Sequence, residues 1–220
     1  MISRRAILCA PFLALPARAQ SNEVDCLLIL AVDVSASMTP ASQETQRRGY
    51  FDAITDPEVM RAIRGGALGR IALTFIEWAG EHEQRIVVPW TLIHDEASAG
   101  AFGASLQGVP PVKWGQTSIS GALLFSASQF AQSPYEASRR VIDVSGDGTN
   151  NSGPPVPPVR DTLVQSRTII NGLPITDAEP TVADFYRDNV IGGHGSFLIP
   201  VTDMTQFREA LRQKLILELA

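Results

Sequence analysis

The chain has 220 residues, 45% of them hydrophobic and 19% charged, with a formal net charge of −5. That balance fits one globular domain with a sizeable core. Its acidity excludes a protein built for phosphate backbones or anionic lipid, so nucleic acid is not an expected partner.

Met1 to Ala19 reads as a signal peptide. Arg4 and Arg5 form the basic start, Ala6 to Leu15 a short apolar stretch, and Ala17-Arg18-Ala19 an A-x-A cleavage site. A membrane anchor is the weaker reading, because a spanning helix needs about 20 apolar residues and Pro11 and Pro16 interrupt this run. Ser3-Arg4-Arg5 hints at twin-arginine export, but the basic segment is very short, so general secretion is favoured. The expectation is a periplasmic or secreted protein that begins at Gln20 and carries no membrane span. Cleavage after Ala19 removes three of the 18 basic residues and none of the 23 acidic ones, leaving a net charge of −8. Only Cys26 then remains, so no internal disulfide can form, and its apolar surroundings mark it as a small buried hydrophobe.

Cys26 to Val32 is a continuous apolar run, the pattern of a strand covered on both faces. Thr39-Pro40 opens a helix that turns Tyr50, Phe51 and Ile54 inward and Gln43, Glu44, Arg47 and Arg48 outward. A short helix runs from Asp56-Pro57 through Ile63. Arg70 to Trp78 and Gln84 to Ile93 are β-rich, and the link Ala79 to Glu83 is too short for a parallel crossover, which predicts an antiparallel pair. Helices follow over Glu96 to Leu106 and Ser118 to Gln132, with a loop over Gln107 to Thr117. Arg140 to Ser145 is a strand, Gly146 to Pro158 a long loop, and a helix then runs to about Ser166. A strand over Thr168 to Leu173, a helix over Pro180 to Val190, a strand over Gly195 to Pro200 and an amphipathic helix over Met204 to Ala220 complete the chain. Alternating strands and helices predict an α/β fold: a single doubly wound, mostly parallel sheet with one antiparallel edge strand and helices on both faces. No repeat, second domain or low-complexity linker is evident, so residues 20–220 read as one domain.

Three separated segments carry oxygen side chains beside small residues: Asp33-Val34-Ser35-Ala36-Ser37, Gly115-Gln116-Thr117-Ser118 and Ser145-Gly146-Asp147-Gly148. None contains Cys or His, so the set suits a hard cation that prefers oxygen. In a sheet of this kind, ligands bind beyond the carboxyl ends of the strands where strand order reverses. The competing reading is that Asp33, Ser35 and Ser37 merely cap the following helix. Three loops in one order favour the metal.

These segments resemble the metal-ion-dependent adhesion site of the von Willebrand factor A domain, which reads Asp-x-Ser-x-Ser, then a distant Thr, then a distant Asp-Gly after a strand. The resemblance extends over most of Asp25 to Ala220 and implies a Rossmann-like sheet. Arg139 to Gly148 further resembles a bacterial family of secreted A-like proteins with no settled function. The resemblance implies one Mg²⁺ or Mn²⁺ held by Asp33, Ser35, Ser37, Thr117 and Asp147, with the two acids acting mainly through water. It also implies a non-enzymatic adhesion or assembly module that captures an Asp or Glu of a protein partner. One departure is Gly146, where many A domains carry Thr.

Other residues are weaker candidates. Trp114, Gln116 and Asn150 could form a partner-contacting rim, although Trp114 could equally pack in the core and Asn150 and Asn151 could simply shape the third loop. Glu77 could extend the site or form a solvated or salt-bridged strand end. Asp143, an acid within a strand, needs a buried partner; Arg139 and Arg140 are near only in sequence. His82, His94 and His194 lack metal spacing. An alternative function is a metal-dependent phosphatase or hydrolase of haloacid-dehalogenase-like type with Asp33 as nucleophile. Such enzymes use a second acid two positions on, and here that position is Ser35. A small-ligand binding protein is a third reading, weakened by the lack of a second lobe.

Overall fold

The structure, a computed structural model, describes residues 22–219. The signal-peptide reading of residues 1–19 lies outside the described residues. Strand β1 (Leu27–Asp33) is buried along its whole length. That is what a continuous apolar run produces when both faces of a parallel sheet are covered. It pairs in parallel with β2 (Ile71–Trp78) on one side and with β4 (Arg140–Gly146) on the other. Beyond β4 lies parallel β5 (Thr168–Pro174), and beyond β2 lies antiparallel β3 (Gln84–Ile93). The order β3-β2-β1-β4-β5 is the doubly wound, mostly parallel sheet with one antiparallel edge that the sequence leads one to expect.

Alternate residues of a strand face opposite sides. Leu28, Leu30 and Val32 enter one core, covered by α1 (Pro40–Ile54), α2 (Pro57–Gly65), α3 (Glu96–Ala104) and α7 (Phe207–Leu219). There Tyr50 meets Phe75 and Phe207 edge-on, at 5.1 and 5.9 Å between ring centroids. Leu27, Ile29 and Ala31 enter the second core, under α4 (Ile119–Phe130), α5 (Val156–Gln165) and α6 (Val182–Phe185). From β1 the chain runs outward to β2 and β3, then returns to lay β4 on the opposite side of β1. The carboxyl ends of β1 and β4 therefore flank the point where strand order reverses.

Several elements differ from the sequence reading. Residues 195–200 are not a strand. They meet β5 through isolated bridges, Gly172 with Leu198 and, just beyond, Ile175 with Val201. Asn171 Oδ1 takes the Phe197 N–H at 2.9 Å, so a side chain replaces a ladder bond. The helix expected over 180–190 is α-helical only over Val182–Phe185 and widens into a π-helical turn, Tyr186–Val190. The Ile191 N–H closes that turn on the Tyr186 carbonyl at 3.0 Å, and Gly192 then reaches the edge of β5 at Ile170. Gln43 and Arg47 of α1 are buried, not outward, because the segment before Thr117 lies across them. Helix α5 begins at Val156, inside the expected loop, since prolines are tolerated in a first turn. The last helix begins with a 3₁₀ turn, Met204–Gln206, before α7.

Candidate functional site

Strand β1 delivers Asp33 to the switch point. Its Oδ1 accepts the Ser35 N–H at 2.7 Å, the local bond by which an Asp starts a turn. Its carbonyl accepts from Gln46 Nε2 of α1 at 3.0 Å. Helix capping falls to another residue: Thr39 Oγ1 accepts the Ser42 N–H at 3.1 Å and starts α1. Asp33, Ser35 and Ser37 are thus free of the capping role. The second loop repeats this division. Ser118 caps α4 by accepting the Gly121 N–H at 3.1 Å, which leaves the neighbouring Thr117 side chain uncommitted to the helix.

The three loops meet. The hydroxyls of Ser35 and Ser37 lie 3.3 Å apart, and Ser37 donates to Asp147 Oδ1 at 2.7 Å. The Ala36 N–H donates to the Gly115 carbonyl at 3.2 Å, tying the first loop to the second. Thr117 donates its N–H to Asn151 Oδ1 at 2.8 Å, and its carbonyl accepts the N–H groups of Asn151 and Ser152 at 2.8 and 3.2 Å. Thr117 Oγ1 stands 3.7 Å from the position a Cβ on Gly148 would occupy. Asp33, Ser35, Ser37, Thr117 and Asp147 therefore share one end of the sheet.

The electrostatics follow from burial. Asp33 is fully buried, and its Oδ2 has no hydrogen-bond partner among the described residues. Loss of water pushes its carboxyl up to about 7, and the charge of Asp147 adds to this. Ser35, through its N–H above all, opposes the rise without cancelling it. Among the described residues, no three His, Cys, Asp or Glu side chains are grouped to hold a metal. The available donors are two carboxylates and three hydroxyls. That set, with an orphaned buried carboxylate oxygen, fits a hard cation.

The rim residues divide. Gln116 is exposed, and Trp114 is half-buried with the Arg85 guanidinium 5.9 Å from its ring centroid. Asn150 braces the loops: Oδ1 accepts the Ser120 N–H at 3.1 Å and Nδ2 donates to the Ser152 carbonyl at 3.0 Å. Glu77 is salt-bridged rather than solvated. Buried at the end of β2, it meets Arg47 Nε at 2.7 Å and Arg85 Nη2 at 2.6 Å. Those arginines also donate to the carbonyls of Val109 and Pro110, so the ion triad anchors the segment leading to Thr117.

Two partners escaped the sequence reading. The first is Lys214 of α7, wholly buried, whose Nζ lies 2.6 Å from Asp143 Oδ1 and 3.3 Å from Glu218 Oε2. It contacts Asp143 as a close ion pair rather than an aligned hydrogen bond. The second is Tyr186, whose buried hydroxyl points at the Asp33 end of the site. Burial above all, then the charges of Asp33 and Asp147, push Tyr186 well above the ordinary phenol range, so it stays a neutral hydroxyl. Its only sequence signal is the missing side chain at Gly146, which means nothing until the fold is known. Cys26 matches its reading: it is buried, and burial pushes the thiol up to about 12.

Solved structures share this architecture. Proximal thread matrix protein 1 from the mussel byssus superposes with a TM-score of 0.66 and 13% identity, over 90% of this chain and 48% of that one. Another structure of that protein, with its adhesion-site motif occupied by zinc, gives 0.57 and 13% over 89% and 47%. The von Willebrand factor type A protein from Catenulispora acidiphila gives 0.58 and 18%, over 88% and 42%. The corresponding domain of the type V pilus tip protein Mfa5 from Porphyromonas gingivalis gives 0.58 and 11%, over 90% and 97%. The chain spans about half the length of the byssus protein. At these identities the likeness establishes the fold, that of a von Willebrand factor A domain. Among curated protein sequences, none matches significantly. The family described as "Protein of unknown function (DUF1194)" matches residues 23–220.

Proposed function

This chain belongs to the DUF1194 family, and we propose that it is an exported, metal-dependent protein-binding module that captures an acidic group of its partner. One observation carries the reading. Three hydroxyl residues from two loops, Ser35, Ser37 and Thr117, meet only two carboxylates, and one of these is buried with an unpartnered oxygen. Ser35, Ser37 and Thr117 would hold one Mg²⁺ or Mn²⁺, with Asp33 and Asp147 in support. Bound there, the cation supplies Lewis-acid attraction for an outside carboxylate, because few protein charges neutralise it. The zinc in the corresponding motif of the byssus protein supports a metal, and the fold shared with the pilus adhesin SpaC from Lactobacillus rhamnosus GG supports an adhesive role.

The acidic surface of the domain repels an acidic partner, so the metal decides capture. Hydrolysis is less well supported. Asp33 is wholly buried, and the position that needs a general acid is Ser35. No helix among the described residues is long and apolar enough to cross a membrane. Export with cleavage before Gln20 completes the reading, and N-terminal sequencing of protein from the native envelope checks it.

Calorimetry of the mature protein with Mg²⁺ and with Mn²⁺ tests the site. Capture from envelope extract, with metal and then with chelator, tests the function. The expected result is one bound cation and a partner released by chelator. Flat calorimetry, or a partner retained in excess chelator, overturns the proposal.

A further inference from the structure

Tyr186 occupies a slot that two glycines create. A Cβ on Gly172 of β5 would meet Tyr186 Cδ1 at 2.9 Å, and a Cβ on Gly146 of β4 would meet its hydroxyl at 2.8 Å. The backbone at Gly146 needs no left-handed conformation, so crowding alone forbids a side chain there. The same absent Cβ would stand 2.8 Å from Asp33 Oδ2. Both oxygens are buried, and neither has a hydrogen-bond partner among the described residues. An unsatisfied buried hydroxyl is destabilising, and a phenylalanine would fill the slot without that cost. The ring begins the π-helical turn Tyr186–Val190, a local distortion that recurs at functional sites.

We infer that Tyr186 is a positioning residue of the three-loop site, its hydroxyl reaching over Gly146 to orient Asp33 Oδ2, directly or through one water, when a cation is held. The inference rests on the metal-site reading above. It assigns Gly146 a purpose: the side chain given up on β4 makes room for a hydroxyl delivered from the turn after α6. Partners that orient metal-supporting carboxylates typically change metal affinity by about 10- to 100-fold when removed.

The test compares wild type, Tyr186→Phe, Gly146→Ala and the double variant, by calorimetry with Mn²⁺ and by melting in chelator. Tyr186→Phe is expected to bind Mn²⁺ about tenfold more weakly. Its metal-free melting temperature should be unchanged or raised, because the lost hydroxyl was unpartnered. Gly146→Ala is expected to weaken Mn²⁺ binding too, by displacing both oxygens. The double variant should bind no worse than Gly146→Ala alone, since the two changes act on one contact. An ultraviolet difference spectrum on adding Mg²⁺ should show a tyrosine signal in wild type that Tyr186→Phe lacks. Wild-type affinity in Tyr186→Phe overturns the inference while leaving the metal site standing. Wild type that binds no cation overturns the metal-site reading and this inference with it.

Discussion

Ser37 donates its hydroxyl proton to Asp147 Oδ1 at 2.7 Å, joining the loop after β1 to the loop after β4. The charge of Asp147 is also felt at Asp33, whose carboxyl it helps to raise. Asp147 thus serves both loop closure and charge. Asp147→Ala should weaken Mg²⁺ binding more than Ser37→Ala does, and should lower the metal-free melting temperature by a few degrees. Calorimetry and melting on both variants separate the two effects. Equal metal affinity in Asp147→Ala and wild type would remove this carboxylate from the site.

Asp33 sets the pH dependence. Its carboxyl lies at about 7 in the fold against an ordinary 3.8, through burial first. A group raised in this way contributes stability that is fully present below about pH 4 and is lost as pH rises through about 7. The metal-free protein should therefore weaken by up to about 4 kcal/mol across that window. A bound cation favours the ionised form and offsets the loss. The difference in melting temperature between Mg²⁺ and chelator should be small at pH 5 and large at pH 8. Asp33→Asn should flatten both the pH dependence and the response to Mg²⁺. A metal response that is equal at both pH values would contradict this role.

Much of this was legible in the sequence, for physical reasons. Strand β3 takes the bounds that its β-rich run and short preceding link imply, because those signals are local. The apolar run of β1 and the Asp, Ser and Thr segments at strand and helix ends are also local. Contacts between distant segments were not legible. Glu77 finds Arg47 and Arg85, and Asp143 finds Lys214, only after the helices dock. Gln43 and Arg47 have the polarity of surface residues and become buried because a loop crosses α1. Residues 195–200 failed as a strand because one side chain, Asn171, takes the place of a backbone partner.

The Glu77 triad predicts a coupled loss. Removing one partner of a buried ion pair costs roughly 3–5 kcal/mol, because the remaining charge is left uncompensated. Glu77→Gln leaves Arg47 in that state, so the melting temperature should fall on the order of 10 °C. The carbonyls of Val109 and Pro110 would lose their anchored donors, and the segment before Thr117 would loosen. Metal affinity should then fall as well, although Glu77 touches no site residue. Wild-type melting in Glu77→Gln would show that the triad adds no net stability.

Lys214 makes the opposite test on the far side of β4. It sits between two buried carboxylates, Asp143 and Glu218, and Asn171 Nδ2 bonds both oxygens of Glu218 at 2.8 Å. Lys214→Met leaves Asp143 without a cation, facing Glu218, whose remaining cationic partner is Arg139 at 3.6 Å. The Asp143 carboxyl, which burial already raises to about 6, should rise further, so the variant should regain stability as pH falls toward 4 and lose it as pH rises. Melting curves from pH 4 to 8 check the sign. A variant whose deficit against wild type is constant with pH would mean that the lysine serves packing alone.

Thr117 gives the sharpest test of capture. Its backbone is held on both sides by Asn151, through N–H and carbonyl bonds of 2.8 Å each. Neither bond uses the side chain, and Ser118 alone caps α4. Thr117→Ala therefore removes a hydroxyl oxygen from the site and leaves the loop's backbone bonds in place. The melting temperature in chelator should match wild type closely, while Mg²⁺ affinity and partner capture should both collapse. Ser35→Ala should behave alike in binding. Chelator on wild type should reproduce the binding loss of both variants, because all three treatments remove the same positive charge from the path of an acidic partner. Undiminished capture by Thr117→Ala in excess chelator would mean that the partner docks elsewhere and that any metal serves only the fold.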